Sequence, residues 1–178
     1  FTALANRGYQ IRVGGVGEHR GIGALRISPH PSNDNCQRAT PLNQGMLEFS
    51  NELALTDGSD PAGPGCLEGD FQKDIWYCLA APCSGVTTID LCESQVDTML
   101  AVHPGCECPA SGALVCNDDN CSVGFGSKVS FDSVFGQPYL VRIGGFQGAE
   151  GTSRATISCE LGNTCGPGNG DCHLEHDN

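Results

Sequence analysis

Oxygen-bearing side chains gather in short polar stretches: Asn33-Asp34-Asn35, Asp57-Gly58-Ser59-Asp60, Asp74, Asp97 and Asn117-Asp118-Asp119-Asn120. Carboxylate and carboxamide oxygens are what a hard divalent cation binds, and calcium takes about six to eight of them. No stretch has the spacing of a contiguous EF-hand loop, so a site must collect ligands from separate loops. The expectation is a calcium site drawn from Asp34, Asp74, Asp97 and Asp118. A purely local reading competes with it, because Asp and Asn also settle in turns by hydrogen-bonding their own backbone.

No set of residues suggests catalysis. The histidines at 19, 30, 103, 173 and 176 belong to no nucleophile–base or metal pattern, and neither G-x-S-x-G nor H-E-x-x-H occurs. His173 and His176, near Asp171 and Asp177, offer chelating atoms in a polar stretch with nothing to orient them. The chain is expected not to be an enzyme. Trp76 and Tyr77, between Ile75 and Cys78, read as core rather than as a sugar-stacking platform.

The twelve cysteines set the compartment. Paired CxxC knuckles are absent, and the spacings fit disulfides formed outside the cell better than zinc sites. An even count permits six bridges and leaves their connectivity open, although the run from Cys116 to Cys121 invites a staple across its acidic loop. A net charge of −12 argues against nucleic acid as a partner and makes cations natural ones. No stretch of about 18 apolar residues exists to cross a bilayer, so no membrane insertion is expected. The opening FTALANRGYQ is neither an initiator Met nor a signal peptide, and the chain is expected to be part of a larger secreted protein.

The elements that must position these residues are strands. With 25 glycines, 10 prolines and no helical periodicity, short apolar runs bounded by Gly, Pro, Asn and Asp predict strands near 46–50, 74–80, 86–92, 97–103, 113–116, 127–132, 138–143 and 153–159. That number and spacing suggest a β-sandwich. Gly144-Gly145, after Tyr139-Leu-Val-Arg-Ile143, predicts a sharp bend at the strand end.

A repeat fixes the boundaries. Residues 1–28 align without gaps on residues 131–158 at a constant offset of 130, with eight identities that include Phe1/Phe131, Tyr9/Tyr139, Arg12/Arg142, Gly14-Gly15/Gly144-Gly145, Gly21/Gly151 and Ile27/Ile157. The expected organisation is the C-terminal strands of a truncated preceding repeat over 1–30, a complete unit over 32–160, and a Gly/Cys-rich linker or further segment over 161–178. Cys165 and Cys172 are placed to close a small loop in that last segment.

Over residues 32–159 the sequence resembles the bacterial pre-peptidase C-terminal domain family, in a cysteine-rich form like that of large secreted planctomycete-type proteins. The resemblance rests on Asn33-Asp34 with Ala39-Thr40-Pro41-Leu42, on Asp74-Ile-Trp-Tyr77, on Asp97-Thr-Met-Leu-Ala-Val102, on Asn117-Asp118-Asp119 and on Tyr139-Leu-Val-Arg-Ile-Gly-Gly145, in the family's order. It implies an all-β, jelly-roll-like antiparallel β-sandwich, secretion and no catalysis; the disulfides would staple it, with the last strands of a second copy before it. The ten cysteines between Cys36 and Cys159 depart from typical members.

Two functions from different classes follow. One is an extracellular structural or adhesive module whose partners are neighbouring copies of itself or adjacent domains of the same protein, assembling into a fibre at the cell surface, with disulfides and calcium as stiffeners. The other is an accessory module that binds substrate, matrix or glycan, or aids export, for a secreted hydrolase. If residues 1–28 form strands, their apolar face (Leu4, Tyr9, Ile11, Val13, Leu25, Ile27) needs a partner surface.

Overall fold

In the computed structural model of the chain, the residues described are 7–23, 25, 29–58, 60–66, 71–108 and 112–162. Nine strands follow one another: β1 (Thr40–Leu42), β2 (Gly45–Ser50), β3 (Phe71–Ala80), β4 (Gly85–Asp90), β5 (Thr98–Pro104), β6 (Val115–Asn117), β7 (Lys128–Ser133), β8 (Pro138–Phe146) and β9 (Thr152–Leu161). One sheet has the order β1-β3-β8-β5-β6 and the other β2-β9-β4-β7. All pairs are antiparallel except β1 on β3. Strands β2 to β9 thus wind as an eight-stranded jelly roll, two Greek keys over one core, and β1 extends one edge.

Each predicted strand has a counterpart in the structure. The additions are β1, whose Pro41 suits an edge position, and the first residues of β3. Residues 7–23 and 25 form no strand. Cys165, Cys172, His173 and His176 lie outside the described residues.

Alternation builds the core. Ile75, Tyr77 and Leu79 of β3, Leu100 and Val102 of β5, and Tyr139, Val141 and Ile143 of β8 face Phe49, Ile89, Val129, Phe131, Ala155 and Ile157 of the other sheet. The four-stranded sheet keeps a wet outer face, as the every-other-residue burial of β9 shows. The five-stranded sheet does not. Residues 98–103 of β5 and 139–145 of β8 are buried without a break, because irregular chain covers their outer side as well.

That cover is held by disulfides. Cys36–Cys108 and Cys78–Cys106 pin the segment after β5, and Cys66–Cys116 pins residues 62–66 to β6. Beneath lie Trp76 and Leu140 in one cluster and Phe71, Met99, Ala101 and Ala113 in another. Cys83–Cys159 and Cys92–Cys121 complete five bridges among the described residues. The staple expected between Cys116 and Cys121 does not form. Cys116 points from β6 into the covered face towards Cys66, while Cys121 lies beyond the strand end beside Cys92.

One ion pair is buried at the centre of this face. Arg142 and Asp74 are 1% and 0% exposed, and Arg142 Nε donates to Asp74 Oδ2 at 2.9 Å. Arg142 Nη2 donates to the Asp57 carbonyl at 2.7 Å, and Asp57 N–H donates to Asp74 Oδ1 at 3.0 Å. The guanidinium carbon stands 4.4 Å from the Phe71 ring centre and 4.9 Å from that of Trp76. A bulge makes the pair: the β3–β8 register shifts between Gln72 and Ile75, with Lys73 at φ 54°.

Gly144 and Gly145 do not mark a bend, since β8 runs on to Phe146. A Cβ on Gly144 would lie 2.6 Å from the Phe71 ring, so this glycine makes room for the aromatic wall of the arginine site.

Removing either partner leaves an uncompensated buried charge. Arg142→Met and Asp74→Leu are each expected to cost about 3–5 kcal/mol by urea unfolding, and the double replacement less than their sum. A coupling energy near zero would show that the two groups act independently.

Candidate metal centre

Strands β5 and β6 pair antiparallel with Leu100 opposite Asn117. The residue before β5, Asp97, and the two that follow β6, Asp118 and Asp119, leave the same end of this strand pair and come together there. Their carboxylate oxygens lie within 4.8 Å of one another. Asp97 and Asp118 are half-buried and Asp119 is exposed.

The scaffold around this cluster is closely tied. Thr98 N–H donates to the Phe125 carbonyl at 3.1 Å, and Ser127 N–H donates to Thr98 Oγ1 at 2.9 Å. Asn117 Oδ1 accepts from Lys128 N–H at 2.9 Å, and Asn120 Nδ2 donates to the Lys128 carbonyl at 3.3 Å. The Cys92–Cys121 bridge anchors the loop between β6 and β7 to the one between β4 and β5. Side chains of Asn117 and Asn120 therefore shape the loop.

Burial first, and then the neighbouring charge of Asp119, push the Asp97 carboxyl above its ordinary value. Asp90, near Cys92 and Cys121, differs. Partial burial pushes its carboxyl up, but the ion pair with Lys128 at 2.8 Å and the Cys92 N–H outweigh that and hold it low. With both sulfurs in a disulfide and the carboxylate paired, that second grouping is a poor metal site.

The structure thus brings together Asp97 and Asp118 of the four expected ligands and adds Asp119. Asp34 and Asp74 lie elsewhere. Asp34 Oδ1 accepts from Leu55 N–H at 2.6 Å, which ties the chain before β1 to the cover over β3. Both oxygens of Asp74 are engaged, one by Arg142 and the other by Asp57 N–H. The four aspartates do not form one site, because the bulge in β3 turns Asp74 under Arg142. Asp119 stood within the stretch Asn117–Asn120; only the path of the chain after β6 brings its carboxylate to Asp97.

No family model and no curated protein matches the chain. Among solved structures, the 1.0 Å crystal structure of the pre-peptidase C-terminal domain of collagenase from Bacillus anthracis is similar, with a TM-score of 0.44 and 11% identity over 75% of this chain and 100% of that one. It is a domain of the family that the motifs of residues 32–159 resemble. At this level the likeness says nothing about a ligand, and the sandwich assignment stands on the chain's own strand order.

The raised Asp97 carboxyl gives a signed pH dependence. The fold binds this proton more tightly than the unfolded chain does, so the contribution to stability is complete below the ordinary value of 3.8 and is lost as pH rises through the raised one. Without metal, Asp97→Asn should therefore raise the thermal midpoint at neutral pH by about 1–2 °C and leave it unchanged near pH ~3. A lower midpoint at neutral pH would show that the Asp97 charge supports the apo fold.

Proposed function

We propose that this chain is a non-catalytic structural module of an extracellular protein, stiffened by its disulfides and by calcium at Asp97, Asp118 and Asp119, and assembling into fibres with neighbouring copies or adjacent domains of the same protein. The observation that carries the reading is the use of cysteine: all ten in the described residues are paired, three of the five bridges fastening irregular chain over one sheet. Such bridges form and persist where the environment is oxidising. Loops of 28 to 76 residues closed this way stabilise a fold by roughly 3–5 kcal/mol each in the chain-entropy account.

Calcium suits the acidic cluster better than a softer ion, since its donors are all carboxylates. Three carboxylates supply three to six oxygens according to whether each binds through one atom or two, and water or backbone carbonyls complete the shell. A divalent charge also relieves the repulsion that raises Asp97. The adjoining loop exposes Val123 and Phe125, at 84% and 65%, which provides an apolar contact beside the metal.

Calcium is expected to raise the thermal midpoint by about 4–8 °C at ~10 mM if the affinity is that of extracellular modules. The Asp97→Asn variant should lose that shift. Electron microscopy of the native material should show filaments that fray on chelation. An unchanged midpoint would overturn the metal site, and dispersed particles indifferent to chelator would support the accessory-module alternative.

A further inference from the structure

The repeat at the start of the chain has a structural counterpart that sequence alone does not reveal. Residues 15–19 share the closing hydrogen bond, a positive φ at the first central residue and a glycine contact with the β8–β9 turn at residues 145–149, and differ from it at the second central residue, where Gly148 has φ 87° and Glu18 has no positive φ. His19 N–H donates to the Val16 carbonyl at 3.3 Å, as Ala149 N–H does to that of Phe146 at 3.0 Å. Gly17 has φ 64° where Gln147 has φ 49°. A Cβ on Gly15 would strike the His19 carbonyl, just as one on Gly145 would strike that of Ala149.

Requirements that depend on the rest of a sandwich are unmet. Gly144 is forced by the Phe71 ring, 2.6 Å from where its Cβ would stand, and Gly151 by Val96 at 2.8 Å. Their counterparts Gly14 and Gly21 have nothing within 4 Å. Val141 and Ile143 are both buried at 0%, whereas Ile11 and Val13 are 48% and 75% exposed. Arg12 stands where Arg142 meets its carboxylate and two aromatic rings.

We infer that residues 9–23 are the penultimate strand, the turn and the start of the last strand of a second sandwich, and that their partner is a body of this same architecture presenting a carboxylate at the place of Asp74, an aromatic ring at that of Phe71 and a branched apolar side chain at that of Val96. The inference deepens the reading of the chain as a structural module and rests on it. The turn forms alone because its constraints are local. The strands wait for a neighbour because glycines 14 and 21, the apolar alternation and Arg12 are all shaped to side chains that a body of this kind supplies.

The test places residues 32–130 directly before Phe1 of the full chain, which restores the 130-residue offset. The added copy carries Cys83→Ser, because Pro29 stands where Cys159 would close that bridge. Trypsin cleavage after Arg12, fast in the full chain, should slow about 100-fold or more in the chimera, since cutting then requires opening of a folded unit. Asp74→Ala in the added copy should restore much of the cleavage; protection that survives it would overturn the role of Arg12. A control chimera in which residues 131–158 replace residues 1–28 completes the added body with its own strands. If the control resists trypsin at its matching arginine while the first chimera is cut at Arg12 as fast as the full chain, the inference is overturned. If the control shows no second folded unit, the modular reading fails and the inference with it.

Discussion

Much of this structure hangs on a guanidinium that has been taken out of water. Arg142 sits in the middle strand of the five-stranded sheet, opposite Trp76, with Asp74 and the Asp57 carbonyl as its acceptors. A buried cation without such partners would cost far more than a domain's whole stability margin. The bulge that presents Asp74, the glycine that admits Phe71 and the chain segment that offers Asp57 all serve this one requirement. The pair also specifies register, since sliding β3 on β8 by one residue would turn Asp74 to the other face and leave the arginine buried without its carboxylate.

The arginine explains in turn why the sheet must be covered on both faces. A two-layer sandwich normally leaves the outer side of each sheet to solvent, and β9 follows that pattern. Over β3, β8 and β5 the chain instead lays irregular segments whose own packing is thin, and the bridges from Cys36, Cys66 and Cys78 hold them down. Covalent closure takes the place of a third layer of regular structure. The same economy appears at the sheet edge, where Cys92–Cys121 fixes the loops that carry Asp97, Asp118 and Asp119. An acidic cluster held rigid in this way keeps its charges close, a geometry that favours a bound cation.

The N-terminal segment follows the same physics from the opposite side. Its turn is closed by its own atoms, through the same backbone hydrogen bond as the turn between β8 and β9. Gly14 and Gly21 have open space about them and Ile11 and Val13 are exposed, where their counterparts Gly144, Gly151, Val141 and Ile143 are closely packed. Local structure forms wherever the chain carries its own constraints, and extended strands await the surface that pairs with them.

From the sequence alone came the sandwich, the disulfide-bonded character, the repeat and most of the strands, because alternation, glycine spacing and cysteine count are written residue by residue. Of the four aspartates expected to share a site, Asp97 and Asp118 do stand together, because they flank strands that the fold makes neighbours. Tertiary structure alone decided the disulfide partners, the departure of Asp74 from the acidic set and the entry of Asp119. Each of these depends on which strands lie side by side and in what register. Cys116 and Cys121 are close in sequence yet point to different layers, and Asp74 is drawn beneath an arginine 68 residues away by a single-residue bulge. No local pattern encodes such pairings, because the energy that selects them arises only when distant segments exclude water together.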